Sequence, residues 1–161
     1  MKKLLILADA LDNQDAGVHY YLREFLNALD KYELKETEVW ILRKKERDEF
    51  QNIKTLVPKT YEFLPFNIAI RFFVSIPLIA IRNKFDFVFE PAHFGPFNLP
   101  RRIKRITFIH DLTAIYLPQY HTFRGWFLQK LFLKRILKNT DFVFTNSKWT
   151  KGDVVRKFPF V

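Results

Sequence analysis

The chain alternates between short apolar runs, typical of buried strands, and longer segments whose apolar residues recur at helical spacing. The predicted strands are Leu4–Ala8, Thr37–Leu42, a weak strand within Ile53–Phe63 that Pro58 breaks, Phe85–Glu90, Arg105–Ile109 and Asp141–Thr145. The predicted helices are Gly17–Lys31, a short charged stretch Lys44–Asn52, the apolar segment 66–82, Phe123–Lys138 and a last helix that Ser147 could cap. Strands that alternate with helices in this way predict an α/β fold with a parallel, doubly wound sheet.

The expected strand order of that Rossmann-like sheet is 3-2-1-4-5-6, with a ligand crevice between strands one and four, where the order reverses. The loops 9–17, 91–100 and 110–122 then lie along one edge of the sheet. Asn146 and Ser147, after the sixth strand, face the same side. We therefore expect residues that are scattered along the chain to form one site.

His110 and Asp111 are the strongest candidates for chemistry, because they directly follow the buried run Arg105–Ile109. The carboxyl end of a strand is where open α/β sheets present functional groups. Neighbouring residues at a strand end point to opposite faces, so one of the two can face the crevice while the other caps a loop. A simple turn with a capping carboxylate is the alternative reading of this pair.

Composition narrows the possible partners and the possible compartment. The 161 residues include 48% apolar residues and 19 Phe, which is enough for one domain with a substantial core. The absence of Cys excludes disulfides and thiolate metal sites. No secretory signal is evident and the longest apolar stretch, 66–81, contains Arg71 and Pro77, so we expect a cytoplasmic location.

The formal net charge of +10 favours an anionic partner, which could be nucleic acid, a phosphorylated ligand or an anionic membrane. A solvated, Lys-rich surface is the alternative. On the predicted helix 123–138, cations and apolar groups share one arc, while Trp126, Phe132, Leu133 and Ile136 lie opposite. The shared arc contains Arg124, Lys130, Lys134, Arg135 and Lys138 together with Phe123, Phe127 and Leu131. Such a face suits peripheral contact with an anionic membrane, or burial under a second domain or subunit.

Other candidates carry weaker signals. Gly17 begins the first long helix, where a small residue lets an anion approach free backbone N–H groups. A simple tight turn is the alternative, and the missing G-x-G-x-x-G pattern leaves dinucleotide binding unsupported. His93 and His121 lie in loops near His110, but the spacing of these histidines matches no compact metal-ligand motif, so no metal is expected.

Four blocks of the sequence resemble the retaining glycosyltransferases of family 4, the "group 1" glycosyltransferases. They are Gly17–Leu29, Phe85–His93, Thr107–Leu112 with Pro118–His121, and Asp141–Val154. The blocks occur in the family's order and cover most of the chain. The chain departs from the family pattern at His19, where Arg is frequent, and in having one Gly where two are frequent.

The resemblance implies that residues 1–161 form the amino-terminal, acceptor-side half of a GT-B enzyme, with the carboxy-terminal donor-binding domain outside this chain. The complete enzyme is then expected to move a hexose, with retention, from a nucleotide-sugar to a glycan or lipid-linked acceptor in polysaccharide biosynthesis. The nucleotide-sugar is a co-substrate, so the resemblance implies no cofactor and no metal. The isolated chain is expected to be inactive, and contact with the inner face of the cell membrane would be peripheral.

The resemblance also assigns roles to individual residues. His110 would contribute a hydrogen bond to the donor sugar, and Asp111 would support its loop. Gly17 and Ser147 would lie on the donor-binding side, with Gly17 near the diphosphate. The acceptor pocket would be shaped by Pro91, His93, Tyr116 and His121.

Two other functions remain open from the residues alone. A non-catalytic Rossmann-type binding module would use the same sheet edge without chemistry. A nucleic-acid binder is less favoured, because the basic residues are spread over several elements and the sequence contains no helix-turn-helix, zinc or RNP-type motif.

Overall fold

The computed structural model of the chain describes residues 1–13, 16–32, 34–58, 70–92, 95–96, 98–120 and 123–161. Within these ranges, the side chains of Asn13, Ala16, Pro118, Arg124, Gly125 and Leu128 are outside the description. The predicted helix 66–82 and the predicted strand within 53–63 are therefore described only in part.

One parallel sheet forms the centre of the described structure. Its strands are β1 (Lys2–Leu7), β2 (Thr37–Leu42), β3 (Ile53–Leu56), β4 (Phe87–Glu90), β5 (Lys104–Ile109) and β6 (Phe142–Thr145). They are arranged in the order β3-β2-β1-β4-β5-β6, and every neighbouring pair is parallel. This confirms the predicted Rossmann-like, doubly wound order, with its reversal between β1 and β4.

Helices connect these strands. They are α1 (Asp9–Asn13), α2 (Ala16–Lys31), α3 (Ile76–Arg82), α4 (Thr113–Tyr116), α5 (Phe123–Lys138) and α6 (Lys148–Lys157). A π-helical turn, Arg71–Ser75, leads into α3, and a short 3-10 turn, Pro118–Tyr120, follows α4. The predicted helix 123–138 is confirmed to the residue. Among the described residues, no helix has the length and apolar character needed to cross a membrane.

The core occupies both faces of the sheet, because alternate residues of the strands point to opposite sides. On one face, Ile6 and Phe108 pack with Leu22 and Leu26 of α2. On the other face, one cluster joins β1 and β4 to α3, and a second joins Ile109 of β5 to the helices α5 and α6. The sheet is thus a rigid platform that fixes where its carboxyl edge presents side chains.

The predicted helix Lys44–Asn52 is wrong, since this segment contains no helix. Its backbone N–H groups instead bind carboxylates from other elements. Asp12 accepts from the N–H groups of Lys44 and Lys45, at 2.8 and 3.2 Å, and Asp30 accepts from those of Gln51 and Asn52. These tertiary partners replace the carbonyl oxygens that a helix would have supplied. The loop predicted after β1 also differs, because it contains the short helix α1.

A buried ion pair fixes α1 against the end of β2. The Arg43 side chain, fully buried, donates from Nη2 to Oδ1 of Asp12 at 2.7 Å and from Nη1 to Oε2 of Glu49 at 3.1 Å. Burial alone would raise the pKa of Asp12, but the hydrogen bonds from Arg43 and from the backbone, with the charge of Arg43, together lower it. At neutral pH this carboxylate is therefore ionised and holds the loop after β1 in place.

Candidate functional site

The imidazole of His110 lies at the carboxyl edge of the sheet, one residue beyond β5. Its Nε2 atom is 2.8 Å from the carbonyl oxygen of Pro91, which follows β4. A carbonyl oxygen can only accept, so Nε2 carries the proton in this hydrogen bond. In a neutral ring, Nδ1 is then an acceptor with the capacity to bind a ligand hydroxyl.

Tyr21 of α2 packs against the same imidazole. The two ring centroids are 5.0 Å apart in an edge-to-face arrangement, and Tyr21 also lies 4.5 Å from Phe108. Burial raises the pKa of the Tyr21 phenol, so this side chain stays neutral at ordinary pH. The first long helix and the end of β5 therefore meet at His110, as the expected convergence of loops requires.

The segment after β6 reaches His110 through its backbone. The Thr150 hydroxyl lies 3.2 Å from the carbonyl oxygen of His110 and 3.0 Å from Oδ1 of Asn146. Its single proton can serve one of these acceptors at a time. Ser147 confirms its predicted role as the cap of α6, since its Oγ accepts from the N–H of Thr150 at 3.0 Å.

A buried carboxylate shapes the turn after β4. Glu90 is almost completely buried, and its Oε1 accepts from the N–H of Ala92 at 2.6 Å. Gly95 returns against the Glu90 side chain, and a Cβ built there would overlap Cγ of Glu90 and lie 3.0 Å from its Cβ. A side chain larger than that of glycine at position 95 would therefore displace the buried Glu90 side chain, which binds the N–H of Ala92 next to Pro91.

Asp111 points away from the His110 hydrogen bond and caps α4. Its Oδ1 accepts from the N–H of Thr113 at 2.9 Å and from the Thr113 hydroxyl at 2.6 Å. The expected division between adjacent residues is thus observed, with His110 at the crevice and Asp111 in a capping position. The supporting role that the resemblance implies for Asp111 in catalysis stays a prediction.

Gly17 is the second residue of α2, and no atom lies within 4 Å of a Cβ built on it. Among the described residues, the position of that Cβ is therefore unobstructed, and whether an anionic group reaches the N–H groups of this helix stays a prediction. The Ser147 hydroxyl, in contrast, is occupied by the cap of α6 and by a 3.0 Å contact with the Thr150 hydroxyl.

The remaining predicted site residues are only partly described. Tyr116 ends α4, is exposed, and lies under the ammonium of Lys157 at 6.0 Å. His93 and His121 fall outside the described residues. Where the structure is described, His, Asp and Glu side chains form no group of three or more that could hold a metal ion.

Sequence reasoning did not single out Tyr21, Thr150 and Glu90 as parts of this site. Tyr21 lies on the sheet-facing side of an amphipathic helix, where an aromatic residue indicates core packing. The one available signal was the carboxylate of Glu90, directly before the loop 91–100, because an ionisable residue at the end of an apolar strand needs a specific partner.

Comparison with known families gives one match that covers most of the chain. Residues 15–161 match the family model described as Glycosyltransferase Family 4. A search of curated proteins finds no match.

Proposed function

The chain belongs to glycosyltransferase family 4, and we propose that it forms the acceptor-side wall of a catalytic cleft. In this cleft a hexose would pass from a nucleotide-sugar to a glycan or lipid-linked acceptor, with retention of the anomeric configuration. The opposite wall would be a donor-binding domain that is not within residues 1–161. The proposed setting is polysaccharide biosynthesis at the cytoplasmic side of the cell membrane.

The observation that carries the proposal is the position of the His110 ring. It is held between the carbonyl of Pro91 and the ring of Tyr21, while Thr150 contacts its backbone. Groups from the ends of β4 and β5 and from the helices α2 and α6 are thereby preorganised around His110. Preorganised polar groups at a cleft stabilise a transition state more than mobile ones, because little reorganisation is needed when charge develops.

The proposed reaction breaks the bond between the anomeric carbon and the diphosphate oxygen and forms a bond from the same carbon to an acceptor oxygen. The acceptor proton passes to the departing phosphate, and a nucleoside diphosphate leaves. His110 would accept a hydroxyl proton of the donor sugar in a hydrogen bond through Nδ1, and so orient the ring as positive charge develops. The N–H groups at the start of α2, near Gly17, would stabilise the negative charge on the leaving group.

The residues proposed for the acceptor side are Pro91, His93, Tyr116 and His121. Pro91 would shape the acceptor pocket, and its carbonyl oxygen accepts the hydrogen bond from His110. Asp111 would hold the following loop through its cap on α4. The donor side would include Gly17, with Ser147 contributing through the position it gives α6.

The test combines the chain with a donor-binding half of the same family, fused or as a second polypeptide, and measures nucleoside diphosphate release from a panel of nucleotide-sugars. We expect release only from the combined protein, and product with the anomeric configuration of the donor by NMR. Transfer by residues 1–161 alone would overturn the proposed division of the cleft. Binding of nucleotide-sugars by the combined protein without release would favour a non-catalytic binding module.

A further inference from the structure

The outer face of α5 is exposed although it is rich in large apolar groups. Phe123 is 76% exposed, Phe127 47% and Leu131 55%, and these residues are spaced four apart on one stripe. The rings of Phe123 and Phe127 are 6.0 Å apart and nearly parallel. The opposite face of the helix supplies Leu133 and Leu137 to the core, so the exposed stripe is not needed for packing against the sheet.

The segment that precedes α5 also exposes large apolar side chains. The exposed residues Tyr116 and Leu117 come from the end of α4 and the residue after it, and Tyr120, 78% exposed, comes from the 3-10 turn that leads towards α5. We call these three residues together with Phe123, Phe127 and Leu131 the apolar ridge. Tyrosines beside phenylalanines and leucines are typical of surfaces that lie at the boundary between water and an apolar environment.

Cations border the apolar ridge. Lys130, Lys134, Arg135 and Lys138 are all exposed on α5. Residues 112–161 contain nine Lys and Arg but two acidic residues, Asp141 and Asp153. Asp141 forms an ion pair with Lys104, and Asp153 forms one with Arg156. Neither of these ion pairs involves a cation of α5.

We propose that the apolar ridge and the α5 cations form a docking surface for an anionic lipid membrane. The apolar side chains would enter the boundary between headgroups and acyl chains, while the ammonium and guanidinium groups would bind lipid phosphates. Cations in the last turn of a helix also stabilise the helix by interacting with its dipole. This effect does not explain why the phenylalanines are exposed. The inference does not rest on the proposed transfer reaction.

The chemistry of the apolar ridge favours lipid over nucleic acid. Aromatic rings can stack on bases, but the aliphatic side chains Leu117 and Leu131 have no planar face to offer and suit acyl chains. Single-stranded nucleic acid, a second copy of the chain and the donor-binding domain are the competing occupants, and loss of vesicle binding in the combined protein would assign the surface to that domain.

The experiment measures co-sedimentation of the chain with vesicles of phosphatidylcholine alone and of equimolar phosphatidylcholine and phosphatidylglycerol. We expect at least tenfold tighter binding to the anionic vesicles, weakened by salt. The double variant Phe123→Ser with Phe127→Ser should bind about tenfold more weakly, and Lys130→Glu with Lys134→Glu should lose the preference for anionic lipid. The matched control, Tyr32→Ser with Lys35→Glu, changes an exposed aromatic residue and an exposed cation just after α2, and should bind like the parent.

Circular dichroism checks that each variant folds. If the double variant Phe123→Ser with Phe127→Ser does not fold, Leu131→Gln replaces it as the variant of the apolar ridge. Equal binding to both vesicle types, or an equal loss in the control, would overturn the proposal. Displacement of the chain from vesicles by single-stranded DNA, with the aromatic variants weakened on DNA to the same extent, would assign the surface to nucleic acid. A dimer in sedimentation velocity that Phe123→Ser with Phe127→Ser abolishes would assign it to self-association.

Discussion

His110 donates from Nε2 to the carbonyl oxygen of Pro91 over 2.8 Å, and this hydrogen bond joins the ends of the neighbouring strands β5 and β4. It fixes the ring proton on the nitrogen that faces the protein. The nitrogen left for a ligand is Nδ1. The predicted catalytic imidazole is therefore an acceptor in its neutral form, and its role can be tested separately from its structural bond.

The first prediction separates the two nitrogens of His110. His110→Gln retains an amide N–H at about the place of Nε2, so it can keep the bond to Pro91, but it has no equivalent of Nδ1. We expect it to lower nucleoside diphosphate release by the combined enzyme about 10- to 100-fold, the cost of one hydrogen bond to a developing charge. Its melting temperature should stay close to that of the parent. His110→Ala should lose activity and also some stability, and full activity in His110→Gln would restrict His110 to a structural role.

The second prediction assigns Tyr21 a positioning role, since its ring borders the imidazole at 5.0 Å between centroids. Tyr21→Leu removes the edge-to-face contact, and we expect kcat to fall about tenfold with little change in KM for the donor. The imidazole signals of His110 in NMR spectra should shift in the same variant. Tyr21→Phe keeps the ring and serves as the control. Unchanged imidazole signals in Tyr21→Leu would mean that the tyrosine only packs.

The third prediction uses Gly17 to separate function from folding. Because no atom lies within 4 Å of the missing Cβ, Gly17→Ala should leave the fold intact and stabilise α2 by up to about 1 kcal/mol. The added methyl group would occupy the space in front of the helix N-terminus, so we expect weaker binding of the donor diphosphate and a higher KM. The measurements are thermal unfolding and donor titration. A variant that is more stable and equally active would remove the diphosphate role from this glycine.

The fourth prediction concerns the turn that carries Pro91. Gly95→Ala forces the Glu90 side chain from its buried position, because the new Cβ would overlap it. We expect a loss of roughly 1–3 kcal/mol in the free energy of unfolding, the usual cost of overpacking. Gly152→Ala is the matched control, since the nearest atom to its Cβ is Nη2 of Arg156 at 4.0 Å and the site lies within α6. Urea denaturation should show the control to be as stable as the parent or slightly more stable.

The strand order could be predicted from sequence, because continuous apolar runs mark strands that are buried on both faces. The helix Phe123–Lys138 was predicted to the residue, since its apolar and charged arcs are distinct. The helix expected at 44–52 was wrong, because its backbone groups bind the distant carboxylates of Asp12 and Asp30. Local propensity carries no information about partners that are more than 20 residues away.

The sequence predicts where the candidate site lies but not the individual contacts within it. Topology alone brings His110 and Pro91 to one edge of the sheet, and the capping roles of Asp111 and Ser147 follow from their positions before helices. The acceptor of the His110 proton is a main-chain carbonyl, and a carbonyl has no sequence signature. The contact between Tyr21 and His110 depends on the height of α2 above β5, which periodicity does not specify.

The last prediction concerns the buried pair of Asp12 and Arg43. Asp12→Asn leaves Glu49 as the remaining carboxylate partner of the buried Arg43, so it should lower the free energy of unfolding by about 3 kcal/mol at neutral pH, the low end of the cost of breaking a buried ion pair. The native pKa of Asp12 lies below its ordinary value of 3.8, so the native state favours the ionised carboxylate. The stabilisation is then complete above that value and is lost as the pH falls through the lower native pKa. Urea denaturation from neutral pH to about pH 3 should show the difference between parent and Asp12→Asn narrowing at the acid end. The double variant Asp12→Asn with Arg43→Met removes both charges and should be more stable than Asp12→Asn alone. The ion-pair explanation would be contradicted if the stability difference between the parent and Asp12→Asn did not depend on pH, or if the double variant were no more stable than Asp12→Asn.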